Sequence, residues 1–257
     1  MSTRTFILTG AVIYALAGLA YGAVALTAQL QLARLSDTLG SDAGTIKIHA
    51  TRFMREGGFI EHSIAAARVE PLKNKALGGI VSHHIPTAIP LLANYYAQLK
   101  KSASVETFII IGPDHFERGR GVSISEYGFQ TSFGTVQPDL ELIHALEKTK
   151  MVAHDETPFT DHAIHSQTPF ISKLFPQARI VAILIRSDAS TEQGAALGET
   201  IAAVTEKFGR KVFIIGSVDF SHYLPEEQAR PLDEASARLV GSLDPQLAGL
   251  AEADSPM

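Results

Sequence analysis

Three short, almost wholly apolar runs constrain the fold of this chain more than any other feature of its sequence. They span residues 107–111 (TFIII), 179–185 (RIVAILI) and 211–215 (KVFII). Uninterrupted apolar runs of this length are typical of strands buried on both faces, as in parallel sheets. Helical spacing predicts helices between and around them, and strands alternating with helices predict an α/β fold with a mostly parallel central sheet and helices on both faces. The predicted helices span residues 86–101, 139–148, 165–174, 191–208 and 232–251, and shorter strands are predicted at 76–81 and 122–125.

A charge-free run at residues 6–28 predicts a membrane span. A helix needs about 20 apolar residues to cross the hydrocarbon core, and this run is longer than the apolar part of a usual signal peptide. A buried helix or a peptide cleaved after residues 23–25 (AVA) are the alternatives. We therefore expect residues 1–45 to form one transmembrane helix and a linker, and residues 46–257 to form the α/β domain. Arg4 before the run favours a single-pass anchor with an extracytoplasmic domain.

The composition excludes several classes of site. The formal net charge is -5 at pH 7, which offers no basic face to nucleic acid. The absence of cysteine excludes disulfides, cysteine-based zinc sites and cysteine nucleophiles. Three serines, Ser82, Ser217 and Ser221, raise a hydrolase alternative, but the G-x-S-x-G elbow is absent. Glycine-rich motifs for dinucleotides or nucleoside triphosphates are absent too.

Histidines follow three of the predicted strands and open one of the predicted helices. His83 and His84 follow the first strand, His115 the second and His222 the last, while His162 and His165 lie at the start of a helix. Because ligands bind beyond the carboxyl ends of parallel strands, we expect these rings to share one cleft. The remaining histidines have no such placement and are expected to be structural: His49, His62, His144 and His154.

Neutral imidazoles with nearby carboxylates suit a first-row transition metal such as iron, copper or zinc. Asp114, Asp161 and Asp219 are placed to orient the rings through hydrogen bonds. His222 could instead transfer protons, with its pKa set by Asp219. The sequence leaves both roles open.

Four motifs in this order resemble the Memo family, also described as AmmeMemoRadiSam system protein B. They are SHH at 82–84, GPDHF at 112–116, DHAIHSQTPF at 161–170 and GSVDFSHY at 216–223, and the resemblance extends over roughly residues 76–250. It implies the fold of the LigB-like class III extradiol dioxygenases. It also implies a metal site that includes His83 and His115, and an acid/base role for His222.

The departures from the family pattern concern the metal site. Ser82 stands where the family has proline, Phe116 where it has a second histidine, and His165 where it has glutamate. The family's late cysteine, its third ligand, has no counterpart that we can locate, so we expect a divergent or C-terminally truncated member. We predict His165 as the third metal ligand, with His162 as the other candidate for that position. We also predict that His162, together with His222 and Asp219, is a catalytic residue.

Two functions are compatible with this pattern. The first is a Memo-like protein whose histidine-lined cleft binds a metal, a small molecule or a peptide. The alternative is a non-haem iron oxidoreductase of the extradiol dioxygenase type. The expected partners are a ligand in the cleft and the membrane through residues 6–28, with no nucleic acid.

Overall fold

A computed structural model describes residues 46–242 of the chain. Nine strands and seven α-helices make up this part. The strands are β1 Ile48–His49, β2 Gly78–Val81, β3 Thr107–Pro113, β4 Val122–Ser125, β5 Gly128–Thr131, β6 Gly134–Pro138, β7 Ala153–His154, β8 Arg179–Ile185 and β9 Val212–Ser217. The helices are α1 Gly57–Ala66, α2 Ile89–Ser102, α3 Leu140–Glu147, α4 His162–His165, α5 Thr168–Leu174, α6 Thr191–Phe208 and α7 Glu226–Gly241, with a short 3-10 helix at Thr157–Thr160.

The strands form one mixed, mostly parallel sheet in the order β1-β5-β6-β8-β3-β9-β2. The five strands from β6 to β2 all run parallel. At the other end of the sheet β5 and β6 form an antiparallel pair, and β4 pairs antiparallel with β8 and parallel with β7. The three apolar runs of the sequence are the three central strands, β8, β3 and β9, as their buried character predicts.

Side chains of β3 alternate between the two faces of the sheet, and helices cover both faces. Phe108 and Ile110 belong to a core with Tyr96 of α2 and Phe170 of α5. Ile109 belongs to a second core with residues of α3 and α6, among them Leu142, Leu146, Leu197 and Ile201. Burial on both faces explains why this strand carries no polar position between Phe108 and Ile111.

The expected fold class needs one correction, which concerns the membrane. Within residues 46–242 no helix has the length and apolar character needed to cross a bilayer. The run at residues 6–28, on which that expectation rested, lies outside the described residues. The fold class is therefore the α/β sheet alone, and we withdraw the transmembrane helix, the membrane-anchored localisation and the extracytoplasmic assignment.

Several predicted elements have different bounds in the structure. The helix predicted from residue 165 begins earlier and is divided into α4 and α5. The last helix was expected at 232–251, but α7 spans Glu226–Gly241 and contains Pro231. Strands β4 and β8 and helix α6 have the predicted bounds, and β2 begins two residues later than predicted. Helix α6 has a capping box between Ser190 and Gln193, and ends at Gly209 in the left-handed conformation with φ 60°.

Candidate metal centre

A cavity of about 650 Å³ opens at the carboxyl ends of the parallel strands. The chain segments after β2, β3 and β9 contribute to it, together with α4. Its polar lining includes all but one of the histidines that the sequence places at strand ends and at the helix start, along with several carboxylates: His83, His84, His115, His162, His222, Asp114, Glu117 and Asp219. The sheet topology therefore gathers groups that are more than 130 residues apart in the sequence.

Three of these histidines form the centre of the site. One ring nitrogen from each of His83, His115 and His162 lies within 4.8 Å of the others. The rings of His115 and His162 stack with centroids 4.3 Å apart, and the ring of His83 lies edge-on to both, at 4.9 and 5.0 Å. A metal ion could be held by these three nitrogens.

An oxygen atom faces Nδ1 of each of the three rings, and for His83 and His115 it accepts a hydrogen bond. The Nδ1 of His83 donates to the carbonyl oxygen of Ser217 at 2.9 Å. The Nδ1 of His115 donates to Asp161 Oδ1 at 2.9 Å, and the Nδ1 of His162 lies 3.4 Å from that same oxygen. Protonation at Nδ1 places the ring lone pair on Nε2, which is the arrangement found in metal-binding histidines with an oriented ring.

Asp161 is the fully buried carboxylate behind two of the rings. Its oxygens also accept the backbone N–H groups of His115 and Ala163, the latter as the N-cap of α4. Burial opposes its ionisation, but the hydrogen bonds from His115 and Ala163 lower its pKa below the ordinary value. Asp161 is therefore ionised at neutral pH and fixes both the helix start and the rings.

The imidazole of His162 remains neutral at physiological pH. Burial, with a smaller contribution from the neighbouring His115, lowers its pKa to about 4 against the opposing effect of Asp161. A neutral ring is the form that binds a metal. This feature supports His162 as a donor alongside His83 and His115.

Asp219 lies between two histidines that follow β2. Its Oδ1 accepts the backbone N–H of His83 at 3.1 Å, and its Oδ2 lies 3.5 Å from His83 Nε2 and 3.4 Å from His84 Nδ1. Burial opposes its ionisation, but a hydrogen bond from Ser82 and the histidine charges lower its pKa. Asp219 thus provides a negative charge beside the three-histidine group.

His222 lines the same cavity but lies outside the three-histidine group. Its Nδ1 donates to the carbonyl of Phe220 at 3.0 Å, and its ring centroid is 6.4 Å from that of His84. Since Nδ1 is occupied, Nε2 is the nitrogen able to accept a proton. The predicted catalytic residues His222, Asp219 and His162 therefore share one cavity, although Asp219 contacts His83 and His84.

His165, the predicted third ligand, occupies a different environment. It is 2% exposed, its Nε2 donates to the carbonyl of Phe159 at 2.9 Å, and its ring packs on Phe129 and His49. Burial lowers its pKa to about 4. Because α4 begins at His162, that residue faces the strand ends, while His165, three residues later, points into the protein. The structure places His162 where we had expected His165.

Gln167, which was not among the predicted site residues, connects the strand ends behind the site. Its side-chain amide donates to Ser82 O at 3.1 Å and to Ser217 Oγ at 2.9 Å, while Tyr96 donates to its Oε1 at 2.9 Å. Ser217 Oγ in turn donates to Ala163 O at 2.6 Å. Its place within the DHAIHSQTPF motif, five residues after His162, is the sequence feature that points to it.

Comparison with known proteins shows the family to which this chain is related. The family model described as Memo-like protein matches residues 57–248. A MEMO1 family protein of Pyrobaculum aerophilum is 32% identical over 203 residues, covering 76% of this chain and 71% of that protein. Another from Pyrobaculum arsenaticum is 33% identical over 204 residues with the same coverage, and one from Archaeoglobus fulgidus is 34% identical over 140 residues, covering 54% of this chain and 53% of that protein. The chain belongs to the Memo-like family.

Proposed function

We propose that this chain binds a divalent first-row transition metal through His83, His115 and His162, and that the cavity beside them receives a small molecule or a peptide. The observation that carries the proposal is the common orientation of the three rings, each with Nδ1 facing an oxygen atom. Imidazole nitrogens suit iron, copper and zinc, and the chain has no cysteine to compete for them. A bound ion with three protein donors keeps positions for a ligand from the cavity.

The alternative function is a metal-dependent oxidoreductase of the extradiol dioxygenase type. It is favoured by His222 and Asp219, which line the same cavity as the three histidines. A non-haem iron with open positions would supply the redox chemistry in that case. His222 Nε2 would accept a proton from a hydroxyl group of the substrate, and Asp219 would hold the negative charge that orients His83 and His84.

Metal titration of the full chain tests the proposal. Protein stripped with a chelator is titrated with Fe²⁺, Cu²⁺ and Zn²⁺, and the bound metal is measured after equilibrium dialysis. We expect the double variant His83→Ala/His115→Ala to lose one equivalent of tightly bound metal, whereas His62→Ala, an exposed histidine on α1, retains it.

The proposal fails if the parent chain and the double variant bind the same amount of metal. Oxygen uptake by the iron-loaded chain with catechols separates the two functions. Uptake that disappears in His222→Ala supports the oxidoreductase, and its absence in the parent supports the binding role.

A further inference from the structure

A second group of histidine and glutamate side chains lies among residues that do not line the cleft. Glu126 follows β4, whereas His144 and Glu147 lie one turn apart on α3. One donor atom from each of the three lies within 4.8 Å of the others. Helix spacing of three residues places His144 and Glu147 on the same face, and that face meets Glu126.

Hydrogen bonds hold these groups in place. His144 Nε2 lies 2.9 Å from Glu126 Oε1. His154 of β7 has Nδ1 4.0 Å from Glu126 Oε2 and Nε2 3.0 Å from Glu156 Oε1. Glu156 also accepts the backbone N–H of Glu126 at 2.8 Å. Two imidazoles and three carboxylates, from α3, β7 and the segments that follow β4 and β7, therefore lie close to one another.

Glu156 lies at the half-buried base of this group and accepts several hydrogen bonds. Glu156 Oε2 accepts hydrogen bonds from His49 at 2.8 Å and from Ser125 at 2.6 Å. Burial opposes ionisation of Glu156, but these hydrogen bonds lower its pKa. Glu156 is therefore ionised at neutral pH.

The carboxylates repel one another. One carboxylate oxygen of Glu126 lies within 4.8 Å of one of Glu147, so their like charges oppose this arrangement. A bound cation would remove this repulsion, and neutral imidazole together with carboxylate oxygens is a donor set that suits zinc.

We propose that Glu126, His144 and Glu147 form a second binding site, for a divalent cation of the zinc type, with His154 as a further donor. The proposal does not depend on the metal centre in the cleft. His144 and His154 were expected to be structural because neither follows a strand at the cleft edge. Only the packing of α3 against the β4–β5 connection brings them together.

Zinc titration of the full chain in the His83→Ala/His115→Ala background tests this site, since two of the three proposed cleft donors are then absent. Adding His144→Ala and Glu147→Gln should weaken the remaining Zn²⁺ binding by more than about 10-fold, the loss that even outer-sphere changes can cause. The matched control adds His62→Ala and Glu206→Gln, which remove the same residue types from exposed positions of α1 and α6. It should leave Zn²⁺ binding unchanged. Equal affinities in the test and control variants would overturn the proposal.

A footprint on the unaltered chain gives a second measurement. Diethylpyrocarbonate modifies accessible imidazoles, and a zinc-bound nitrogen does not react. We expect Zn²⁺ to slow modification of His144 and to leave that of His62 unchanged, as read by mass spectrometry. Unchanged modification of His144 at saturating Zn²⁺ would count against the site.

Discussion

At the scale of single residues, one buried carboxylate organises most of the candidate metal centre. Asp161 contacts the Nδ1 atoms of His115 and His162, and also accepts the N–H groups of His115 and Ala163. Such outer partners set the tautomer and the direction of a metal-binding ring. The position of this residue is therefore as important to the proposal as the histidines themselves.

Replacing Asp161 with asparagine tests this role. The Asp161→Asn side chain keeps its shape but loses the charge that orders both rings, so metal affinity should fall by roughly 10–100-fold. Asp155→Asn, in the loop where Asp155 accepts the N–H of Thr157, is the matched control. Isothermal titration of each variant measures the effect, and equal affinities in the two variants would refute the assigned role.

His165 makes the stability of the fold sensitive to acid. Its pKa is about 4 in the folded protein against an ordinary value of 6.5, because it is buried. Between these two pH values the imidazole of His165 is protonated in the unfolded chain but neutral in the folded protein. The free energy of unfolding therefore decreases as the pH falls. This loss of stability is absent above about pH 6.5 and is complete near pH 4.

The variant His165→Gln keeps a donor for the Phe159 carbonyl and removes this titration. From pH 7 to pH 4 the metal-free parent should lose roughly 2–4 kcal/mol more unfolding free energy than the variant. Urea unfolding at both pH values measures the difference. Identical losses in parent and variant would contradict the buried, neutral state of His165.

The sequence predicted which strand ends bring histidines to the cavity, but it did not decide between His162 and His165 as the third candidate ligand. His83, His115, Asp219 and His222 could be placed because each follows a strand. The choice between His162 and His165 depended on where α4 begins. That start is set by the capping contacts of Asp161, which are tertiary contacts as much as local ones.

At the scale of elements, the close approach of β3 to α4 positions the histidines. A Cβ atom at Gly112 would lie 2.8 Å from the Cβ of Ala163 and 3.3 Å from Ser217 O. Glycine and alanine therefore allow the strand end and the helix to meet. This contact brings His115 and His162 together, because each lies within three residues of it.

Adding a methyl group at Gly112 should disturb both the fold and the candidate metal centre. Gly112→Ala should lower the unfolding free energy by about 1–3 kcal/mol through overpacking and should weaken metal binding as the helix moves. Gly198→Ala, at an exposed position of α6 with nothing within 4 Å of the added Cβ, should stabilise the chain by up to about 1 kcal/mol. Thermal unfolding compares the two variants, and a neutral Gly112→Ala would show that the contact is not tight.

The strands and the helix that the sequence did not predict have no regular pattern of apolar residues. Strands β1 and β7 have two residues each, and the β5–β6 pair mixes apolar residues with threonine and glutamine. Helix α1 begins with two glycines, which are poor helix formers. Pairing with the rest of the sheet, and not local preference, determines these elements.

At the scale of the whole molecule, a mostly parallel sheet brings together side chains from distant segments. The wholly apolar central strands made this architecture predictable, and the strand ends made the cleft predictable. The predicted membrane anchor was wrong, and it had rested on the charge-free length of one run alone. None of the helices in the described residues could cross a membrane. The group on α3 could not be predicted, because its members share no element or motif.

Metal K-edge X-ray absorption tests the central claim most directly. The chain, loaded with half an equivalent of Zn²⁺ in the His144→Ala/Glu147→Gln background, should show three imidazole donors. Adding His162→Ala should reduce this number to two, whereas adding His165→Gln should leave three. A spectrum that loses an imidazole with His165→Gln, and keeps all three with His162→Ala, would contradict the account.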